Sequence, residues 1–302
     1  MMSIFEKVKD LREITGAGMQ DCKIALSENN EDIDLAIEFL RKKGIAKAAK
    51  KSERGASEGL ITIFTSGNKS SIVEINSETD FVAKNPEFNN FCEKISSLCI
   101  ASKDINDLKE KKFNETDTVS SALVGLIAKI GENIQIRRFE NLDSQGSVAS
   151  YIHNKQSDSS GKLGVLLAYD SDNSELSKSF ANQICMHIAA SSPLALHAED
   201  ISKEFLENEK KIIRDLLLNE GKKADMIDKI ISGKISKITK DNTLLGQKWV
   251  MNQELSVENA IKNFQEENKT TFDIKKFIRY KVGEGLEIKK TDFADEVKSL
   301  SK

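Results

Sequence analysis

Leu60-Ile-Thr-Ile-Phe-Thr65, Gly67-Asn68 and Ser71-Ile-Val-Glu-Ile-Asn76, followed at once by Ser77-Glu-Thr-Asp-Phe-Val-Ala-Lys-Asn85, decide the fold of this chain. The two β-branched runs joined by Gly-Asn read as a β-hairpin. After Pro86, Phe88, Phe91, Cys92, Ile95, Leu98 and Cys99 recur at helical spacing, the stripe of a core-facing helix. Between hairpin and helix, Thr79 is expected to serve as N-cap, its hydroxyl accepting a free first-turn N–H. Asp80 suits the positive end of a helix. Neither role requires Phe81, which residue chemistry leaves open as a core anchor or as an aromatic presented outward.

The same order of elements recurs downstream. A helix at about 118–130 leads into the strand Asn133–Phe139, and then come strands 147–153 and 162–169, a helix at 174–190 and a strand at 274–282. This predicts an α+β fold with two related core subdomains, 59–141 and 142–282, although identity between the halves is too weak to establish duplication. Inside the second, Phe205, Ile212, Ile213, Leu216 and Leu217 form one apolar stripe and Ile227, Ile230, Ile231, Ile235 and Ile238 another. Joined by Asn219–Asp225, they predict a protruding antiparallel helical hairpin at about 203–240. Residues 283–302 are read as a C-terminal helical segment.

Upstream, residues 1–45 read as three short helices. Ser3-Ile-Phe-Glu6 is a capping box, and the stripes are Ile4, Phe5, Val8, Leu11, then Cys22, Ala25, Leu26, then Ile33, Ile37, Leu40. Three helices with a Gly-containing first loop resemble a ubiquitin-associated-like domain. Residues 46–58 are expected to be a basic connector, part helical and part flexible. With no aromatic interleaved for base stacking, a solvated strip is favoured over an RNA contact.

The chain has 302 residues, which suggests about two domains. Its formal charge of −3, from 45 basic and 48 acidic residues, provides no global field for nucleic acid. No apolar run reaches membrane length, and the N-terminus lacks a signal-peptide pattern, so a cytoplasmic protein is expected. Cys22, Cys92, Cys99 and Cys185 are scattered. Cys92 and Cys99 lie about two helical turns apart, ~10 Å, beyond disulfide reach. Reduced, buried thiols are expected.

Phosphate-binding chemistry is missing from the pattern. Gly161-Lys162, Gly221-Lys222 and Gly233-Lys234 each lack the upstream glycine and the following hydroxyl of a phosphate loop. Gly16-x-Gly18 has no third glycine and no preceding strand. The histidines His153, His187 and His197 form no metal pattern with the cysteines. No cofactor, metal or directly bound nucleotide is expected, and no catalytic residue is assigned.

Thr79-Asp-Phe-Val-Ala-Lys-Asn85 closely resembles the signature of the elongation factor Ts family, and so does Gly16-Ala-Gly-Met-Gln-Asp-Cys-Lys23. Ile130-Gly-Glu-Asn-Ile134 with Arg137-Arg138, and Val282-Gly-Glu-Gly285 followed by Thr291-Asp-Phe-Ala294, continue the likeness in the same order over nearly the whole chain. The resemblance implies a guanine-nucleotide exchange factor for elongation factor Tu. Thr79, Asp80, Phe81 and Val82 would dislodge the partner's Mg2+, with Phe81 exposed and rigidly mounted. It further implies partner contacts at Lys23, Ile130, Gly131, His153, Val250 and Met251. The hairpin corresponds to a coiled-coil protrusion that in some members contributes to dimer contacts.

Each contact has a plainer reading. Ile130 is equally a core residue, Gly131 a helix C-cap, and Val250 and Met251 packing beneath Trp249. Two departures from the family pattern bear on the transfer: an extra polar loop at 154–160, which could displace His153, and Lys248 where proline is common. Two other classes of function compete: a peptide-binding adaptor using the N-terminal helices, and a thiol enzyme using Cys22 near a helix start.

Overall fold

The computed structural model describes residues 3–286 apart from Gly16 and Asn173. The segment 287–302, including Thr291–Ala294 and most of the expected C-terminal helix, lies outside the described residues.

Three helices open the chain: α1 (Ile4–Thr15), α2 (Met19–Glu28) and α3 (Ile33–Lys51). The capping box forms, with the Ser3 N–H donating to Glu6 Oε2 at 2.7 Å and the Glu6 N–H to Ser3 Oγ at 3.3 Å. Val8, Leu11, Cys22, Ala25, Leu26 and Ala36 make a small core. Ile4 and Phe5, expected on that stripe, are exposed instead. The third helix outruns its expected end because Ala46, Ala48, Ala49 and the lysines are strong helix formers. Its last turns also find a surface to cover. Ala48 joins the core of the next unit, and Gly44 lies against Val124 and Ala128.

The first core unit runs β1 (Glu58–Ser66), β2 (Lys69–Ser77), α4 (Pro86–Cys99), α5 (Ile105–Glu110), α6 (Val119–Ile130) and β3 (Ile134–Asp143). The second runs β4 (Ser147–Lys155), β5 (Ser160–Ser171), α7 (Glu175–Ser191), α8 (Lys203–Asn219), α9 (Ala224–Asn242), β6 (Lys248–Trp249), β7 (Asn252–Ser256), α10 (Val257–Asn268) and β8 (Phe272–Lys281). In both units an antiparallel hairpin comes first, and the last strand returns to pair with the hairpin's second strand. In both, that last strand carries a bulge.

β1 and β5 pair only at Ile61–Gly161 and Thr62–Ser160, so the sheet folds there and its two halves face one another. Alternation along the strands sends Leu60, Val73 and Ile75 to the core beneath α4 and α6. Leu163, Val165, Leu167 and Tyr169 go to the core beneath α7 and α10. The intervening Ile61, Ile63, Ile72, Leu166 and Ala168 meet between the half-sheets, together with Ile278 and Tyr280. This is why β2 and most of β5 are buried on both faces. Gly164 permits the approach: a Cβ there would stand 2.7 Å from Ile61 Cγ2.

A buried charge locks the first half-sheet. Glu74 on β2 is fully buried and pairs with Arg138 on β3, and the bulge leaves Arg137 without a partner in the register. A bulge lets consecutive residues share a face. Arg137 Nη1 donates to both Glu74 oxygens at 2.9 and 3.0 Å, and Arg138 Nε to Oε2 at 2.7 Å. The Gly283 N–H and Asn76 Nδ2 complete the shell, and Arg138 lies 4.1 Å over the Tyr280 ring.

α8 and α9 form the hairpin. Ile213, Leu217, Ile227 and Ile231 are buried between them, whereas Ile212 and Leu216, expected on the same stripe, face outward. Among the described residues, no helix is long and apolar enough to cross a membrane.

Candidate functional site: braced turns presenting Phe81 and Val250

β2 ends at Ser77, and the chain turns through Glu78–Phe81 into a short 3₁₀ segment, Val82–Lys84. Val82 and Ala83 are buried at 4% and 3% exposure, whereas Phe81 is 75% exposed, the largest value for any large apolar side chain among the described residues. The core-anchor reading of Phe81 therefore does not hold. Its backbone is relaxed αR, so the turn presents the ring without strain.

Thr79 is not the N-cap. That role belongs to Asn85, whose Oδ1 accepts the Glu87 and Phe88 N–H groups at 2.8 and 3.4 Å, with Pro86 at the first helical position. Thr79 instead donates twice to one carboxylate, its N–H to Glu132 Oε2 at 2.9 Å and its hydroxyl to Glu132 Oε1 at 2.6 Å. Beside it, the Asn133 N–H donates to Glu78 Oε1 at 2.6 Å. Asp80 is exposed.

The junction that holds this turn is the one containing Ile130 and Gly131. Gly131 caps α6 with φ of +89°, and its N–H donates to Ile127 O at 2.9 Å. Ile130 is half-buried against the first core. Lys51 donates to the Gly131 carbonyl, and Asn133 Nδ2 to Arg54 O at 2.6 Å, so the end of α3 meets the same place. Thus the fold brings 79–82, 130–133 and 51–54 together.

The other expected contacts lie elsewhere. Lys23 is exposed on α2, next to Asp21, whose carboxyl is held below the usual range by Lys47 and Lys43. His153 is exposed on β4 opposite Leu163, its Nδ1 3.1 Å from the Tyr151 hydroxyl. At the polar insertion β4 runs on to Lys155 and β5 begins at Ser160, with His153 paired to Leu163 and Lys155 to Gly161.

Val250 and Met251 form the tip between β6 and β7, exposed at 39% and 53%. They do not pack beneath Trp249, which is buried with its ring 5.2 Å from His187. His187 braces this tip, a role that sequence spacing could not signal. Gln247 Nε2 donates to Ser191 O and Asp241 O at 3.1 and 3.0 Å, which turns Oε1 toward His187 Nε2 at 3.0 Å. Nε2 must therefore carry the proton, and Nδ1 accepts the Val250 N–H at 3.3 Å. Burial lowers the His187 pKa from its ordinary 6.5, opposed in part by the Gln247 contact.

A group with a depressed basic pKa contributes its full stability above the unfolded value, about 6.5, and loses it as pH falls below that toward the folded value. Thermal melting should therefore show a loss of stability on acidification from about pH 7 to pH 5 that a His187→Gln variant largely lacks.

All four cysteines are buried. Burial pushes the Cys22 thiol up, where proximity to a helix start suggested a lowered value, and takes Cys99 to about 12. The thiol-enzyme reading has no support in this geometry. Among the described residues no group of three or more His, Cys, Asp or Glu side chains is placed to hold a metal ion.

The braced turns present apolar side chains outward, while the thiols and His187 are turned inward. The profile of the family described as Elongation factor TS matches residues 78–284, from the first bracing residue of the Phe81 turn to the turn after β8. The chain is 43% identical to elongation factor Ts of Brucella anthropi over 297 residues, spanning 98% of this chain and 97% of that protein. It is 44% identical over 301 residues to elongation factor Ts of Clostridium perfringens, spanning 97% of each. The chain belongs to the elongation factor Ts family, a family of translation elongation factors.

Proposed function

We propose that this protein is a non-enzymatic guanine-nucleotide exchange factor for elongation factor Tu, acting in the cytoplasm. It binds the GDP form, displaces Mg2+, releases GDP and holds the nucleotide-free partner until GTP arrives. The observation that carries this reading is Phe81, 75% exposed on a turn pinned on both sides.

Exchange follows from differential affinity. A protein that binds the empty partner better than the loaded one weakens the nucleotide by the same factor that the nucleotide weakens it. Mg2+ and phosphates are held by closely spaced charges at ~2.1 Å with strict geometry, so a small displacement is costly to them. Phe81 and Asp80 intrude beside that ion, and burial of the ring offsets the strain imposed on the partner. Thr79 and Val82 fix the turn. Lys23, Ile130, Gly131, His153, Val250 and Met251 supply further partner contacts that set affinity and orientation. The outward Ile212 and Leu216 of the hairpin favour a contact with a second copy in a homodimer.

Factor Tu loaded with fluorescent GDP and chased with unlabelled GDP provides the test. A substoichiometric amount of this protein should accelerate release repeatedly in Mg2+ buffer. The acceleration should shrink in EDTA, where the ion has already gone. Release that is no faster than the spontaneous rate rejects the proposal.

A further inference from the structure

We propose that Glu132 is a positioning residue for exchange: its carboxylate holds the Phe81 turn in the one orientation from which the ring can act. The inference rests on the reading of Phe81 as the intruding group.

Both Glu132 oxygens are spent on Thr79, one on the backbone N–H and one on the hydroxyl. Among the described residues no Lys, Arg or His lies within ion-pair distance of Glu132, so the carboxylate is committed to the turn and to no charge partner. Reciprocally, Glu78 receives the Asn133 N–H, so adjacent residues of the turn are tied to adjacent residues of the 132–133 segment. Downstream, Val82 and Ala83 sink into the core. Between the two anchors the Phe81 carbonyl accepts the Lys84 N–H at 3.1 Å, and only the side chains of Asp80 and Phe81 are left unheld.

An exposed aromatic on a mobile loop must be ordered when it docks, at about 0.5–1.5 kcal/mol per immobilised side chain, more if backbone is ordered as well. The bracket meets that requirement before the partner arrives. Charged acceptors also form the stronger hydrogen bonds, which suits a carboxylate for the task. Gly131 lets the chain reverse at the end of α6 and bring Glu132 back over the turn, which gives that glycine a local purpose.

A double-mutant cycle separates positioning from general structural support. The maximal GDP-release rate and the half-saturating protein concentration are measured for wild type, Phe81→Ala, Glu132→Ala and the double variant, with melting temperatures alongside. Glu132→Ala should lower the maximal rate roughly tenfold, equivalent to about 1.4 kcal/mol, while leaving half-saturation little changed. Glu132→Gln, which retains one acceptor, should recover part of the rate. In the Phe81→Ala background, removing Glu132 should slow release no further. Should Glu132→Ala fold poorly, Thr79→Val removes one of the two bonds and keeps the branched shape, and should slow release by a smaller factor. A slowed Phe81→Ala with a fully additive or absent Glu132 effect overturns the positioning role alone. A wild-type rate in Phe81→Ala overturns the wedge reading beneath it.

Discussion

Glu74→Ala is expected to give the largest loss of stability of any single substitution considered for this protein. Glu74 is fully buried and accepts from Arg137, Arg138, Asn76 and the Gly283 N–H. Its removal strands two guanidinium groups, one of which, Arg138, already has Nη2 buried without a partner. Breaking such a pair from one side costs about 3–5 kcal/mol, a large fraction of the ~5–15 kcal/mol that typically separates folded from unfolded chains. The partial exposure of Arg137 and Arg138 places the expected value toward the lower end. At about 2–4 °C per kcal/mol, the melting temperature should fall by roughly 6 °C or more. Glu74→Gln, which keeps the shape but opposes an amide N–H to a guanidinium, should fall in between. A shift below about 2 °C for Glu74→Ala would show that the cluster is not what joins β2, β3 and the turn after β8.

Phe81→Ala is expected to do the reverse, damaging activity and sparing the fold. An exposed ring contributes little to the folded chain, so melting should move by less than about 2 °C. On the proposed function the ring is buried in the complex, where burying a phenylalanine is worth about 1.5–3 kcal/mol, and the variant would lose all of that from the state in which the nucleotide is displaced. At ~1.4 kcal/mol per decade, GDP release at saturating protein should slow by about one to two orders of magnitude. Phe81→Leu, still apolar but smaller, should retain an intermediate rate.

How much of this was legible in the sequence depends on the distance over which each residue acts. The hairpin at 60–76 and the helix after Pro86 follow from alternation and helical periodicity, which are local. So does the recurrence of strand, strand, helix and returning strand in the second unit. Which of two adjacent apolar residues turns inward is not local: Ile213 and Leu217 face α9 while Ile212 and Leu216 do not. The length of α3 was hidden because a lysine- and alanine-rich run suits either a connector or a helix, and packing against α6 decides it. Glu74 reads as one polar residue in a strand pattern until a bulge aims two arginines at it.

Thr79 is the clearest case. Its neighbours make it look like a helix cap, yet its hydroxyl goes to Glu132, 53 residues away. Ile130-Gly-Glu-Asn-Ile134 contains the glutamate of that bracket, but Lys129 stands three residues before it as the nearer partner in sequence; only the fold sends Lys129 to Glu87 and Glu132 to Thr79. The exposure of Phe81 was likewise undecided by residue chemistry and expected only from family resemblance. The structure supplies a physical reason: the residues on either side are held, and the ring is not.

The measurement that bears most directly on Phe81 is the rate of fluorescent-GDP release from factor Tu at saturating concentrations of wild-type protein and of Phe81→Ala, in Mg2+ buffer, with both proteins shown to melt alike. Release at least about tenfold slower with the variant is the predicted result. Equal rates from two equally folded proteins would contradict the claim that this exposed ring dislodges the partner's nucleotide.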